Sequence, residues 1–178
     1  RVCLPEENAF IYVAVNKPVG VVTSCARNHG DKIVLDLVSV PDRIYPVGRL
    51  DKDSQGLVLL TNDGDLHNRL SHPSHNHEKE YRVTTAHPVK DTDLAAMARG
   101  MILQEKKTRK AKVTRISSHR FTIVLKQGLN RQIRKMVGKT GNRVTVLERV
   151  RMGNVILGNL APGAWRRLTP EEIDGLTQ

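Results

Sequence analysis

Gly48-Arg49-Leu50-Asp51-Lys52-Asp53-Ser54-Gln55-Gly56-Leu57-Val58-Leu59-Leu60-Thr61 runs from a charged loop into an unbroken apolar stretch. Residues 56–61 suit a buried strand, because a strand covered on both faces reads as continuous hydrophobic sequence. Asn62-Asp63-Gly64 closes the strand, and the Asp63 carboxylate can cap a helix running to about Leu70. Upstream, residues 44–51 form an extended segment punctuated by Pro46 and Gly48. One short stretch therefore sets a loop with two acids beside a buried strand and a helix.

Working outward, residues 10–15 alternate and favour a strand, residues 17–20 form a turn, and residues 21–24 resume the strand, which predicts a hairpin. Val34, Leu35, Leu37 and Val38 recur at helical spacing before Pro41. Residues 71–78 are a polar loop, and residues 79–85 alternate around Tyr81 and Val83 as a strand does. Asp91 can cap a helix carrying Leu94 and Met97 and stopped by Gly100. Two basic strands follow at 111–116 and 121–126, then a helix at 130–140 ended by Gly141, and strands at 144–147 and 155–157. Thr169-Pro170-Glu171-Glu172 starts a final helical turn with its capping partner in place. This mixture is of the α+β class. No repeat, low-complexity tract or linker interrupts it. A chain of 178 residues is one large domain or two small interlocked lobes, long enough to bury a core without staples.

Lysine and arginine number 29 against 18 acids, a formal net charge of +11. Such an excess attracts a polyanion and releases its counterions on contact, so nucleic acid is the leading partner. An anionic membrane surface ranks second, since no long basic amphipathic helix with bulky anchors is present; solubilising surface charge is the bland alternative. The longest apolar run, 56–60, is far too short to span a bilayer, and no signal-like start is visible. The chain opens at Arg1 without methionine, as a fragment would. Cys3 and Cys25 define no disulfide framework and read as reduced thiols of a cytoplasmic protein. His67, His72, His75 and His77 invite a metal, but no cysteine lies nearby and their spacing suits neither a helix face nor a zinc knuckle. Phosphate contact or simple solvation fits that loop better. No phosphate loop or dinucleotide fingerprint is present either.

Three segments carry chemistry. Asp51 sits in a loop held against a rigid strand, where reactive groups concentrate. Arg49 and Lys52 beside it would favour an ionised carboxylate, as a nucleophile needs. An ordinary turn aspartate has the same neighbours, and spacing alone does not choose between Asp51 and Asp53. In the helix at 130–140, Ile133, Met136, Val137 and Thr140 share one face, with Arg131, Lys135 and Lys139 opposite. Arg134 falls on the boundary, where its fork can reach a partly buried carboxylate; a solvated basic face is the equal alternative. Aromatic residues are only 3% of the chain, so a platform stacking several bases is not expected. Tyr81 against a single flipped base remains open beside the plainer reading of a strand tyrosine with a buried ring.

Taken in order, Asn16-Lys17-Pro18-Val19-Gly20, Gly48-Arg49-Leu50-Asp51, Lys79-Glu80-Tyr81 and Gly128-Leu129-Asn130-Arg131-Gln132-Ile133-Arg134-Lys135-Met136 resemble the RsuA-type family of ribosomal-RNA pseudouridine synthases. Leu147-Glu148-Arg149-Val150-Arg151 and Gly163-Ala164-Trp165-Arg166 are similar too. The segments from 48–63 and 128–154 resemble most the RluF branch, which acts on 23S rRNA. The resemblance implies a mixed, largely antiparallel sheet with flanking helices. It implies Asp51 as the catalytic aspartate, Tyr81 packed on the target base as a candidate proton acceptor, and Arg134 paired with Asp51. It implies RNA contacts from Arg49, Lys79, Asn130, Arg131, Ile133 and Lys135, with Arg49 filling the gap left by the flipped uridine. No cofactor or metal is implied. Many members carry an S4 RNA-binding domain upstream; this chain begins just before Lys17-Pro18, so the expectation is a catalytic domain spanning 1–178 without it. The expected enzyme is a monomeric cytoplasmic isomerase of rRNA, 23S rather than 16S. A non-catalytic rRNA-binding protein would share the charge, and a nucleotide-directed glycosidase would need a second positioned carboxylate. Neither calls for Tyr81 and Arg134 alongside Asp51.

Overall fold

The computed structural model describes residues 9–178; Cys3 lies outside them. Eleven strands, four α-helices and two 3-10 turns are formed among the described residues. In β3 (Gln55–Thr61) every residue from Gly56 onward is buried, as its apolar sequence requires. β1 (Tyr12–Lys17) runs antiparallel along one edge of β3, from Tyr12 opposite Thr61 to Lys17 opposite Gly56. The other edge of β3 is divided. β2 (Tyr45–Val47) takes Leu59 to Thr61, and β9 (Val144–Met152) takes Gln55 and Gly56. That short β3–β9 contact is the only parallel ladder between strands of the described residues. Beyond β9 follow β4 (Lys79–Thr85), β8 (Arg120–Leu125) and β7 (Lys112–Arg115), all antiparallel, while β11 (Trp165–Arg167) lies outside β1. β10 (Val155–Ile156) folds back on β9, and β5 (Ile102–Leu103) pairs with β6 (Lys106–Lys107) in a separate small hairpin. The result is a mixed, mostly antiparallel α+β sheet.

Gly56 is what lets the two halves meet. Its φ of +111° is foreign to side-chain-bearing residues, and a Cβ there would lie 2.7 Å from the backbone nitrogen of Arg149. Only a glycine permits so close an approach of two strands.

Each half has its own apolar packing. Alternation along β1 and β3 sends Ala14, Leu57 and Leu59 to one face, against Leu66 and Leu70 of α1 (Gly64–Ser71) and Leu176 of α4 (Pro170–Thr177). Val13, Val15, Val58 and Leu60 go to the other face, against Val34, Ile44 and Leu50. The second half packs Val83, Phe121 and Ile123 under Met97 of α2 (Asp91–Arg99) and Ile133, Met136 and Val137 of α3 (Gln132–Lys139). The half-buried Tyr81 touches the apolar clusters of both halves.

Asp63 caps α1 by accepting from the backbone N–H groups of Asp65 and Leu66, and Thr169 with Glu172 forms the capping box of α4, a full helix rather than a single turn. Other expectations fail. Residues 21–24 do not form a hairpin with β1: both edges of β1 are occupied, and Val22 makes a single parallel bridge to Ile33. The helical spacing at 34–38 yields one 3-10 turn, Val34–Leu37, which the Asp36 side chain caps at its start by accepting from the Ile33 N–H, and Val38 is already extended. Lys90, not Asp91, occupies the cap of α2, with Asp91 and Asp93 in its first turn.

Candidate active site at the seam of the sheet

The β4–β9 pairing slips between Glu80 and Tyr81: Glu80 faces Arg151 and Tyr81 faces Arg149, leaving Val150 as an extra residue. Such a bulge re-aims the side chains around it. Strand alternation then parts the charges of β4. Lys79 and Tyr81 turn toward a cleft, while Glu80 turns to the opposite face with Glu78, where Arg151 donates to Glu80 Oε2 at 2.9 Å and Glu78 Oε2 at 3.1 Å.

The cleft encloses about 410 Å³ at the seam of the two halves. Its walls are the loop before β3 (Gly48 to Asp51, and Ser54), Lys79 and Tyr81 of β4, residues 127–133 leading into α3, and Leu147 and Arg149 of β9. Of the residues singled out in the sequence, Asp51, Tyr81, Arg49, Lys79, Asn130, Arg131 and Ile133 line it. Arg134 and Lys135 do not. The Lys135 ammonium donates to Gln104 Oε1 at 3.3 Å and, with Asn130 and Lys106, lines a neighbouring cavity of about 150 Å³.

Asp51 and Asp53, indistinguishable by spacing, are separated by geometry. Both oxygens of Asp53 are engaged by the Arg131 fork, at 2.9 and 2.8 Å, and this hydrogen bonding is the main reason its carboxyl is held below the usual range. Asp51 receives a single longer contact, from Arg131 Nη1 to Oδ2 at 3.3 Å. Its other oxygen has no hydrogen-bond partner among the described residues, and Asp51 rather than Asp53 lines the cleft.

The expected Arg134–Asp51 pair is not formed. Arg134 Nη2 donates to the Asp53 carbonyl at 3.0 Å and Ser54 Oγ at 3.2 Å, and its Nε lies 3.6 Å from Asp53 Oδ2. It clamps the turn after Asp51 from behind, and Arg131 takes the place in front. The physical reason is backbone geometry. Arg131 is the cap of α3 in a left-handed conformation, φ +50°, so it leaves the helical face that periodicity assigns it and swings to the acids. A non-glycine residue held there is uncommon, costs on the order of 1 kcal/mol or more, and concentrates at functional sites.

Two buried cations escaped the sequence reading. Arg149 is among the largest fully buried side chains; its Nε donates to the Leu57 carbonyl at 2.8 Å and Nη1 reaches the Arg49 carbonyl at 3.5 Å, while Nη2 is buried without a partner. It ties β9 to β3 and to the loop carrying Asp51. Lys17 lies under the same loop. Its ammonium donates to the carbonyls of Val21 at 2.7 Å and Pro18 at 2.9 Å, and the Lys52 carbonyl accepts the Gly20 N–H at 2.8 Å. Burial pushes the Lys17 ammonium down to about 8, against the opposing pull of Asp53 and Asp51. Burial, then the charge of Arg149, also lowers Lys79. Composition and spacing do not distinguish these cations from the many surface lysines and arginines; their place in the family-like segments 16–20 and 147–151 is the signal the sequence holds for them. Among the described residues, no three His, Cys, Asp or Glu side chains gather as a metal-holding group; the His72, His75 and His77 rings contact one another instead.

The family model described as RNA pseudouridylate synthase matches residues 11–139. The chain belongs to this family. It is 45% identical over 94% of its length to the dual-specificity RNA pseudouridine synthase RluF of Salmonella typhi, and it spans 58% of that relative's length. It is 36% identical to the ribosomal small subunit pseudouridine synthase A of Haemophilus influenzae, covering 94% of this chain and 74% of that one. A crystal structure of a pseudouridylate synthase superposes with a TM-score of 0.88 at 35% identity, covering 94% of this chain and 74% of the other. The family match covers the Asp51 loop, Tyr81 and Arg131, so the cleft is built wholly from this family's portion of the chain together with Leu147 and Arg149 of β9.

Proposed function

We propose that the chain isomerises a uridine of ribosomal RNA to pseudouridine, with Asp51 as nucleophile. The observation that carries this is the Asp51 carboxylate, one oxygen free, in a cleft walled by Tyr81 and Ile133 and fronted by Arg131. About 410 Å³ falls within the roughly 300–1,000 Å³ of small-molecule pockets, enough for one extruded nucleotide.

The reaction breaks the C1′–N1 bond, turns the uracil and joins C1′ to C5; the proton lost from C5 is balanced by one gained at N1. Asp51 attacks the sugar or the base, or assists departure of the uracil. Tyr81, whose hydroxyl has no hydrogen-bond partner among the described residues, packs on the base and takes the C5 proton. Extruding a base costs a few kcal/mol, which phosphate contacts from Lys79, Arg131 and Lys135 offset, with Arg49 filling the gap the uridine leaves and Asn130 and Ile133 shaping the wall. Arg134 acts through the Asp53–Ser54 turn, as a positioning residue for Asp51. The resemblance to the RluF branch supports 23S rRNA over 16S. A monomer in the cytoplasm completes the reading; the exposed free Cys25 thiol is consistent with that location.

Asp51→Ala should bind rRNA fragments and yield no pseudouridine. Turnover at the wild-type rate in that variant would refute the assignment of the nucleophile. Mapping pseudouridine in rRNA from cells with and without the gene tests the substrate, and a product confined to 16S rRNA would overturn the choice of 23S.

A further inference from the structure

The histidine loop, Arg109 and Lys126 have no part in the chemistry above. His72, Asn76 and His77 line a second groove of about 280 Å³ together with Arg109 and Lys126. Lys79, Gln127, Gly128 and Leu129 line both this groove and the cleft, so the two cavities share one wall. No aspartate or glutamate lines the groove. Elsewhere the protein neutralises many of its cations: Arg27, Lys52, Arg82, Arg115, Arg131, Arg151 and Arg166 each pair with a carboxylate. Arg109, Lys126 and Lys79 have no ion-pair partner among the described residues.

The groove is also held in shape. Arg109 Nη1 donates to Asn76 Oδ1 at 2.8 Å, and its backbone N–H donates to Gln127 Oε1 at 2.7 Å. Asn76 stands at φ +48°, a conformation that asparagine tolerates better than most residues. These bonds fix the histidine loop against the segment that walls the cleft, leaving the other guanidinium nitrogens of Arg109 and the Lys126 ammonium free. The His77 ring stacks on His75 with centroids 6.1 Å apart.

We propose that this groove is a second RNA subsite, which holds the phosphate of a nucleotide adjoining the one in the cleft. The proposal rests on the RNA reading above and extends it. A strand whose target base has been extruded leaves the duplex path, and its neighbouring phosphate must then be carried by the protein. Arg109 and Lys126 supply a cationic pair for that phosphate, with Lys79 at the boundary serving both cavities. Histidine rings at the lip offer hydrogen bonds or a stacking face to the adjoining nucleotide.

The test is binding of uridine-centred RNA oligonucleotides, lengthened one nucleotide at a time on either side, in an Asp51→Ala background that prevents turnover. Lengthening on one side should tighten binding about tenfold and steepen the salt dependence by about one phosphate contact. Arg109→Ala with Lys126→Ala should abolish that gain while leaving the shortest oligonucleotide bound as before. Because Arg109 also braces the loop, Lys126→Ala alone provides the second measurement: its side chain has no hydrogen-bond partner among the described residues, and it should remove a large part of the gain. Arg43→Ala with Arg167→Ala removes equal charge from distant exposed positions and should leave the gain intact. A gain that survives loss of Arg109 and Lys126, or equal weakening at every length or by the distant pair, overturns the subsite. Failure of the enzyme reading would show separately, as a wild-type protein that makes no pseudouridine.

Discussion

Replacing Gly56 by alanine tests the joint on which the cleft depends. A Cβ at Gly56 would lie 2.7 Å from the Arg149 nitrogen and nearer still to its carbonyl oxygen, both backbone atoms of a strand pinned on its other edge by β4. Neither can retreat without breaking the parallel contact or the β4–β9 ladder. Backbone strain at φ +111° costs about 1–3 kcal/mol, and overpacking adds about 1–3 kcal/mol. Together these give roughly 4 kcal/mol, or a fall in Tm of about 10 °C for a chain of this size. Gly64→Ala is the matched control: it is the first residue of α1, and its Cβ would meet only the Tyr45 hydroxyl at 3.7 Å, an ordinary contact. That variant should be neutral or stabilised by up to about 1 kcal/mol. Urea and thermal unfolding of both variants provide the assay, with pseudouridine formation measured alongside. Activity of Gly56→Ala should fall with stability, since Gly56 sits between the Asp51 loop and the Arg149 that ties it down. Should Gly56→Ala unfold within about 1 kcal/mol of the parent, the close approach would not be what joins the halves.

Lys17 makes stability depend on pH. Its folded value of about 8 lies below the ordinary 10.5, so between these values the unfolded chain binds more protons and stability rises with pH, by about 3 kcal/mol across the window. Lys79 acts in the same direction, whereas Tyr12, raised chiefly by burial, acts oppositely once an unfolded tyrosine ionises near pH 10. Urea midpoints from pH 7.5 to 9.5 should therefore climb more steeply for the parent than for Lys17→Met, and parallel curves would contradict the burial of the charge. Arg131→Ala should lower turnover about tenfold or more, some 1.4 kcal/mol, and also weaken RNA binding, because it faces Asp51 and the open cleft. Arg134→Ala should lower turnover with little change in affinity, and equal losses of affinity in the two variants would show that Arg134 faces RNA after all.

By itself the sequence determined the elements and the chemistry of their side chains. The apolar run of β3, the Asp63 cap, the alternation of β4 and the capping box of α4 are local preferences, and local physics set them. The ordered segments around Asp51, Tyr81 and residues 130–136 identified the family for the same reason: identity and spacing are properties of the chain. Only tertiary structure decided which acid faces the cleft, because Asp51 and Asp53 differ in their partners from the opposite half of the molecule and not in their neighbours along the chain. It also decided that Arg131 rather than Arg134 fronts Asp51, through a left-handed backbone that helical periodicity does not foresee. The failed hairpin at 21–24 has a similar cause, since β1 spends both edges on β3 and β11. Burial of Arg149 is likewise a long-range property, since its guanidinium meets the Leu57 and Arg49 carbonyls, and Lys17, beyond its local bonds to Pro18 and Val21, lies under the loop whose Lys52 carbonyl is 3.5 Å from its ammonium.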